Sequence, residues 1–96
     1  MTAPVRVEKL MSLTADEFAA SLARLGPSQT TAGDCRLFNL DGGTVTIGFA
    51  PVAGVTLGGL LALPRANVTL TFEGSTESAR AQFLKRFDLA FQRGGG

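Results

Sequence analysis

The sequence lacks histidine, tryptophan and tyrosine, and it contains a single cysteine. One cysteine cannot form an internal disulfide framework or a structural zinc site built from cysteines. Without histidine, general-base catalysis would depend on a carboxylate or a lysine with a shifted pKa. The carboxylates do not have the spacing of a calcium-binding loop. We therefore expect no metal, no cofactor and no enzymatic activity.

Charge is also scarce, since charged residues make up 18% of the chain and the net charge is +1. This balance gives no reason to expect a nucleic-acid partner, and the 45% hydrophobic content excludes an intrinsically disordered protein. Ninety-six residues suffice for a single core without metal or disulfides. We expect one domain over residues 1–93 and a flexible glycine tail over 94–96. The N-terminus has no secretory signal pattern, which favours a cytoplasmic location.

One long stretch, residues 42–64, carries no charge at all. Its length would just suffice for a membrane span. However, glycines and Pro51 interrupt it, and Val45, Ile47 and Phe49 alternate with small polar residues. These features favour buried strands over a membrane-inserted hairpin, which is the alternative interpretation.

The N-terminal segment combines a strand pattern with a helix start signal. Val5 and Val7 alternate with charged residues, which predicts a strand that continues to Met11. A helix is the competing interpretation there, because Val7, Leu10 and Met11 also share a helical face. A capping box at Thr14 and Glu17 then predicts a helix.

This first helix should run to Leu25, with Gly26 and Pro27 as its stop signal. Leu13 and Phe18 are placed to form a hydrophobic staple around its start. The apolar face predicted for it comprises Ala15, Phe18, Ala19, Leu22 and Leu25.

The middle of the chain predicts four further strands after a polar linker over residues 27–33. We assign them to residues 35–40, 44–49, 55–63 and 67–72, with turns at 41–43, 51–54 and 64–65. The Gly58-Gly59 pair falls inside the third of these strands, where it suggests a bulge or a bend.

The last predicted element is a helix that begins after an N-cap at Ser75. Ala79, Phe83, Phe87 and Phe91 recur at four-residue spacing, so they lie on one face. The apolar face of the sheet is the matching surface. We therefore interpret this phenylalanine stripe as core rather than as a ligand or membrane contact.

These elements predict an α+β fold in the order β-α-β-β-β-β-α. It has a single antiparallel sheet with both helices on one face, and the long C-terminal helix lies across the sheet. This order resembles one half of the TATA-binding-protein-like fold and a shortened helix-grip domain. The ending F-D-L-A-F-Q-R-G-G-G looks like that of small bacterial proteins. The resemblance to the TATA-binding-protein-like fold implies nucleic-acid binding on the open sheet face. The resemblance to helix-grip domains implies apolar ligands between helix and sheet. The terminal glycines resemble the tails of ubiquitin-like sulfur carriers.

The chemically reactive side chains all have structural interpretations. Acidic residues occupy predicted helix starts and turns, namely Asp16, Glu17, Asp34, Asp41, Glu73 and Glu77. Cys35 has no histidine to activate it, and strand alternation would point it away from Arg36, so we expect a buried inert thiol.

The face of the sheet that is not covered by helices is the candidate interaction surface. It comprises Thr44, Thr46, Leu60, Asn67, Thr69 and Thr71. These residues predict a non-catalytic binding or assembly module that contacts another protein or a second copy of the chain. The alternative is a small apolar ligand or lipid bound between the sheet and the C-terminal helix. Nucleic-acid binding and a Gly-Gly sulfur carrier are weaker alternatives, because the open face lacks cations and the tail follows a helix.

Overall fold

A computed structural model of the chain describes residues 3–30, 35–57 and 61–91. It contains one antiparallel sheet and two helices, in the predicted order of a strand, a helix, four strands and a helix. The strand predicted at residues 55–63 is wrong, because residues 55–57 and 61–63 belong to two different long strands, and an unpredicted short strand at residues 29–30 makes up the number. The elements are β1 (Val5–Met11), α1 (Ala15–Leu25), β2 (Gln29–Thr30), β3 (Arg36–Leu40), β4 (Gly43–Leu57), β5 (Leu61–Glu73) and α2 (Glu77–Ala90). Across the sheet the strand order is β1-β5-β4-β3-β2.

Strand β1 confirms the alternation pattern, and the competing helical interpretation of this segment is wrong. It pairs with β5 from Val5↔Phe72 to Met11↔Ala66. Partly buried and exposed residues alternate along its whole length. One face of β1 therefore contributes to the core.

Helix α1 begins with the predicted capping box. The Thr14 hydroxyl accepts a hydrogen bond from the Glu17 amide at 3.2 Å, and the Glu17 carboxylate accepts one from the Thr14 amide at 2.8 Å. The helix ends at Leu25, and Gly26 follows at a φ of 131°. The apolar face is narrower than predicted, because Ala15 and Ala19 are exposed and Ser21 is buried instead.

The predicted linker contains a short strand that the sequence pattern did not indicate. Gln29 and Thr30 form β2, which pairs with Leu37 and Arg36 at the edge of the sheet. Residues 41–42 form the turn between β3 and β4, so β4 begins at Gly43, one residue earlier than predicted. Gly42 takes a φ of 80° there, a conformation that glycine adopts without steric cost.

The turns predicted at residues 51–54 and 64–65 are wrong, because both segments lie inside long strands. Strands β4 and β5 pair with each other as far as Leu57↔Leu61. The only irregularity in this ladder lies between Val52↔Arg65 and Val55↔Leu63, where β4 has one residue more than β5. Proline and glycine signalled turns in the sequence, but both residues are also tolerated at bulges and strand edges. The bend predicted at Gly58-Gly59 lies outside the described residues.

Helix α2 begins at Glu77, and its N-cap is Thr76 rather than the predicted Ser75. The Thr76 hydroxyl accepts a hydrogen bond from the Ala79 amide at 3.1 Å. Ser75 is buried instead, because the chain after β5 passes directly over Gly43. A Cβ atom at Gly43 would overlap the backbone of Glu73 and Ser75. The chain therefore passes close to Gly43 just before the helix begins at Glu77.

Both helices pack on the same face of the sheet, and the phenylalanine stripe of α2 is core as predicted. Phe83, Phe87 and Phe91 are buried, and the rings of Phe87 and Phe91 stack with their centroids 4.2 Å apart. The sheet residues beneath are also buried, namely Val45, Ile47, Val68, Leu70 and Phe72. The space between α2 and this part of the sheet is therefore occupied by side chains.

Candidate interaction surfaces

Five of the six predicted surface residues lie on the sheet face opposite the helices. They are Thr44, Thr46, Asn67, Thr69 and Thr71, and each is partly buried. They share this face because they alternate with buried residues such as Val45 and Leu70. Thr46 and Thr71 are direct cross-strand neighbours. The sixth residue, Leu60, lies outside the described residues.

Strand β1 adds a charged pair to this open face. Arg6 is the cross-strand neighbour of Thr71, and Glu8 that of Thr69. The Asn67 side-chain amide donates a hydrogen bond to Glu8 Oε1 at 3.1 Å, and the Arg6 guanidinium lies 3.7 Å from the same oxygen. These groups are exposed, so solvent screens the ion pair. The threonine-rich surface is therefore bordered by a largely self-compensated charge pair.

An exposed apolar patch lies on the same face where the sheet narrows. Leu10 and Ala50 flank Asn67 from its two neighbouring strands, and Val52 lies two residues beyond Ala50. Leu10 is 57% exposed and Val52 is 41% exposed. We call Leu10, Ala50 and Val52 the apolar corner. This patch was not predicted, because it depends on which strands are neighbours and because residues 51–54 carry turn signals.

Beyond the apolar corner, β4 and β5 continue as a two-stranded ribbon. Pairing with β3 ends at Ile47, and pairing with β1 ends at Ala66. We call residues 52–57 and 61–64 the ribbon, with Arg65 at its base; in the part of the chain that the structure describes, residues 52–57 pair only with residues 61–65. The molecule extends 50 Å in its longest dimension and 26 Å and 21 Å in the others. Its radius of gyration is 14.3 Å, compared with about 12.5 Å for a compact chain of this length.

Two prolines and a bulge interrupt the ribbon and its base. Pro51 and Pro64 lack backbone N–H groups, and the bulge occurs between Val52 and Val55. Arg65 is the charged residue at the ribbon base. Prolines, bulges and charges are the features that prevent exposed strands from pairing edge to edge with other chains. These features disfavour pairing of the ribbon's backbone edges with another chain.

The acidic residues at the two helix starts take the structural positions expected of them, whereas Cys35 is not fully buried as predicted. Asp16 and Glu17 occupy the first turn of α1, and Glu77 that of α2. Cys35 is a partly buried free thiol beside Gly48, and Asp34 lies outside the described residues. In residues 3–30, 35–57 and 61–91, no group of three or more histidine, cysteine or acidic side chains could hold a metal ion.

Comparisons with known proteins add no assignment. No protein-family model, curated protein or solved structure matches this chain. Within the described residues, neither helix has the length and apolar character needed to cross a membrane.

Proposed function

We propose that this protein is a non-catalytic assembly module that associates with a second copy of itself. The contact surface is the ribbon together with the apolar corner. The observation that carries this proposal is the uncharged ribbon, which extends past β1 and β3. An isolated two-stranded hairpin is only marginally stable in water, so a ribbon of this kind gains stability from packing against another surface.

A second copy fits the chemistry of this surface. Residues 42–64 contain no charged side chain, so the ribbon offers nothing to attract a strongly charged partner. The centres of protein interfaces are depleted of charge in the same way. An uncharged ribbon is complementary to the same ribbon of another copy, and a two-fold symmetric contact uses the same patch on both subunits.

The available surface is also large enough. The accessible surface of the chain is 6080 Å², compared with about 5,200 Å² for a compact monomer of this mass. An interface of standard size buries roughly 800 Å² on each partner, which is about an eighth of this surface. An interface of that size supports a specific dimer.

The exposed prolines favour face-to-face packing of two ribbons over continuation of the sheet. Edge pairing would require unbroken rows of N–H and C=O groups, which Pro51 and Pro64 interrupt. Face-to-face packing closes on itself and produces a discrete dimer. Edge-to-edge addition would instead produce open-ended fibres.

Sedimentation velocity from micromolar to near-millimolar protein concentration tests this proposal. We expect the wild type to form a dimer as the concentration rises, and Val52→Lys to weaken the dimer at least about tenfold. The matched control is Leu89→Lys, which places the same charge at a residue of α2 that is 65% exposed and far along the chain from the ribbon. A wild type that stays monomeric at the highest concentration would contradict the proposal, as would equal effects of the two lysine variants.

A further inference from the structure

At the C-terminal ends of the two helices, an arginine of each helix donates a hydrogen bond to a carbonyl oxygen of the other helix. Arg24, near the end of α1, donates a hydrogen bond from Nε to the carbonyl oxygen of Ala90 at 3.2 Å. Arg86, one turn before the end of α2, donates one from its guanidinium to the carbonyl oxygen of Leu25 at 2.8 Å. Each helix therefore supplies an arginine to the last turn of the other.

This exchange leaves a positive charge at the junction. A helix C-terminus carries about half a negative charge from its aligned peptide dipoles. Two helix ends and two guanidinium groups together leave a net charge of about one positive unit. This charge suits a ligand with a single negative charge.

The two guanidinium groups border an open cleft of about 350 Å³. Its described lining residues are Arg24, Leu25, Arg86, Leu89 and Ala90, and none of them is acidic. The bonds to the helix carbonyls occupy one donor on each arginine, and the Ser21 hydroxyl accepts one more from Arg24 at 3.1 Å. Most of the guanidinium N–H groups are left for a carboxylate, which arginine binds with two parallel hydrogen bonds.

A second cleft of about 240 Å³ shares Leu25 and Arg86 with the first. Most of its remaining lining is apolar, including Pro27, Phe38, Leu40 and Phe83. The Arg86 guanidinium lies 6.0 Å from the centroid of the Phe83 ring, so it connects the charged cleft to the apolar one. Sites for small molecules usually measure roughly 300–1,000 Å³ and combine apolar walls with a few polar groups.

We propose that the two clefts form one binding site for a small carboxylate with an aliphatic chain. The carboxylate contacts Arg24 and Arg86, and the aliphatic chain lies along Pro27 and Leu40, over the buried edges of Phe38 and Phe83. The site is on the surface between the helix ends and β3, so it does not require an opening in the packed core. It is also independent of the ribbon and of the proposed dimer.

Titration with decanoate below its micelle concentration tests this site, with acetate and decanol as the partial ligands. Binding is followed by calorimetry and by the backbone amide shifts of labelled protein. We expect saturable binding of one decanoate per chain, with the largest shifts near Leu25 and Arg86. Acetate and decanol should each bind at least about tenfold more weakly, because each lacks one half of the ligand.

A negative charge introduced into the cleft is a sharper test, because Arg24 and Arg86 are both retained. Leu89→Glu introduces a carboxylate at an exposed residue of the lining. Ala81→Glu is the matched control, since it is also exposed on α2, also lies four residues from Lys85 and is not part of either cleft. We expect Leu89→Glu to weaken decanoate binding about tenfold or more and Ala81→Glu to change it less than about twofold. The proposal is overturned if decanoate does not saturate, if decanol binds as well, or if both variants bind alike.

Discussion

Strands β4 and β5 pass through two different environments along their length. In the half that the helices cover, Val45, Ile47, Val68 and Leu70 have no exposed surface. In the half that projects, Pro51 and Pro64 are exposed and Val52 is 41% exposed. Both halves are rich in apolar residues, so composition alone does not distinguish them.

The difference follows from the lengths of the elements. Helix α2 has 14 residues and is therefore about 21 Å long. Strand β4 has 15 residues and is about 50 Å long. Even if α2 ran parallel to the strand, it would cover less than half of the strand's length, so part of the apolar strand pair extends beyond it. The covered half supports the fold, and the projecting half is available for contacts with a second copy.

The largest expected effect on folding comes from removing a ring in the covered half. Phe87 is fully buried and stacks on Phe91, so Phe87→Ala removes its transfer energy and leaves a cavity. We expect a loss of about 3–5 kcal/mol in the free energy of unfolding, measured by chemical denaturation. Leu89→Ala on the same helix is the control and should change stability by less than about 0.5 kcal/mol. Equal losses for the two variants would show that the stripe is not the core.

The next largest loss of stability is expected where Gly43, at the start of β4, lies against the backbone of residues 73–75. Gly43→Ala places a methyl group against the backbone of Glu73 and Ser75, and it should destabilise the protein by about 1–3 kcal/mol. Gly48→Ala on the same strand meets only the Cys35 sulfur at an ordinary contact distance of 3.5 Å. Thermal unfolding should show a change of less than about 1 kcal/mol for Gly48→Ala. A reversed order would mean that the chain after β5 does not pass over Gly43.

A smaller loss of stability is expected when the N-cap of α1 is removed. Thr14→Ala removes the hydroxyl that accepts from the Glu17 amide, and it should cost about 1 kcal/mol. Thr14→Ser retains the hydroxyl and should stay close to the wild type in urea denaturation. If alanine and serine destabilise the helix equally, the capping hydrogen bond has no role.

The smallest effect on folding is expected in the projecting half. Val52→Asp should change the free energy of unfolding of the dilute monomer by less than about 0.5 kcal/mol, because the side chain already contacts solvent. The same variant should prevent dimerisation at high protein concentration. A loss of stability as large as that of Phe87→Ala would place Val52 in the core.

The sequence predicted best those features that depend only on a local pattern and belong to the covered half of the molecule. The capping box at Thr14 and Glu17 and the spacing of Phe83, Phe87 and Phe91 require only local geometry, and the structure confirms both.

The ribbon could not be predicted in this way, because glycine and proline mark turns, bulges and strand edges alike. Residues 51–54 and 64–65 carry turn signals but lie within β4 and β5, where they form the bulge and the pairs beside it. The cap at Thr76 was missed for another reason: Ser75 is buried beside Gly43, which is distant in sequence. The open-face threonines followed from alternation, whereas the apolar corner depends on which strands are neighbours.

Amide hydrogen exchange at two protein concentrations tests the central claim within a single pair of strands. Ile47 and Leu70 report the covered half, and Val52 and Arg65 report the projecting half. We expect protection at Ile47 and Leu70 to be high even when the protein is dilute, because their exposure requires opening of the core. Protection at Val52 and Arg65 should be low in dilute protein and should rise with concentration as the dimer forms. Protection of Val52 and Arg65 that does not change with protein concentration would contradict the account.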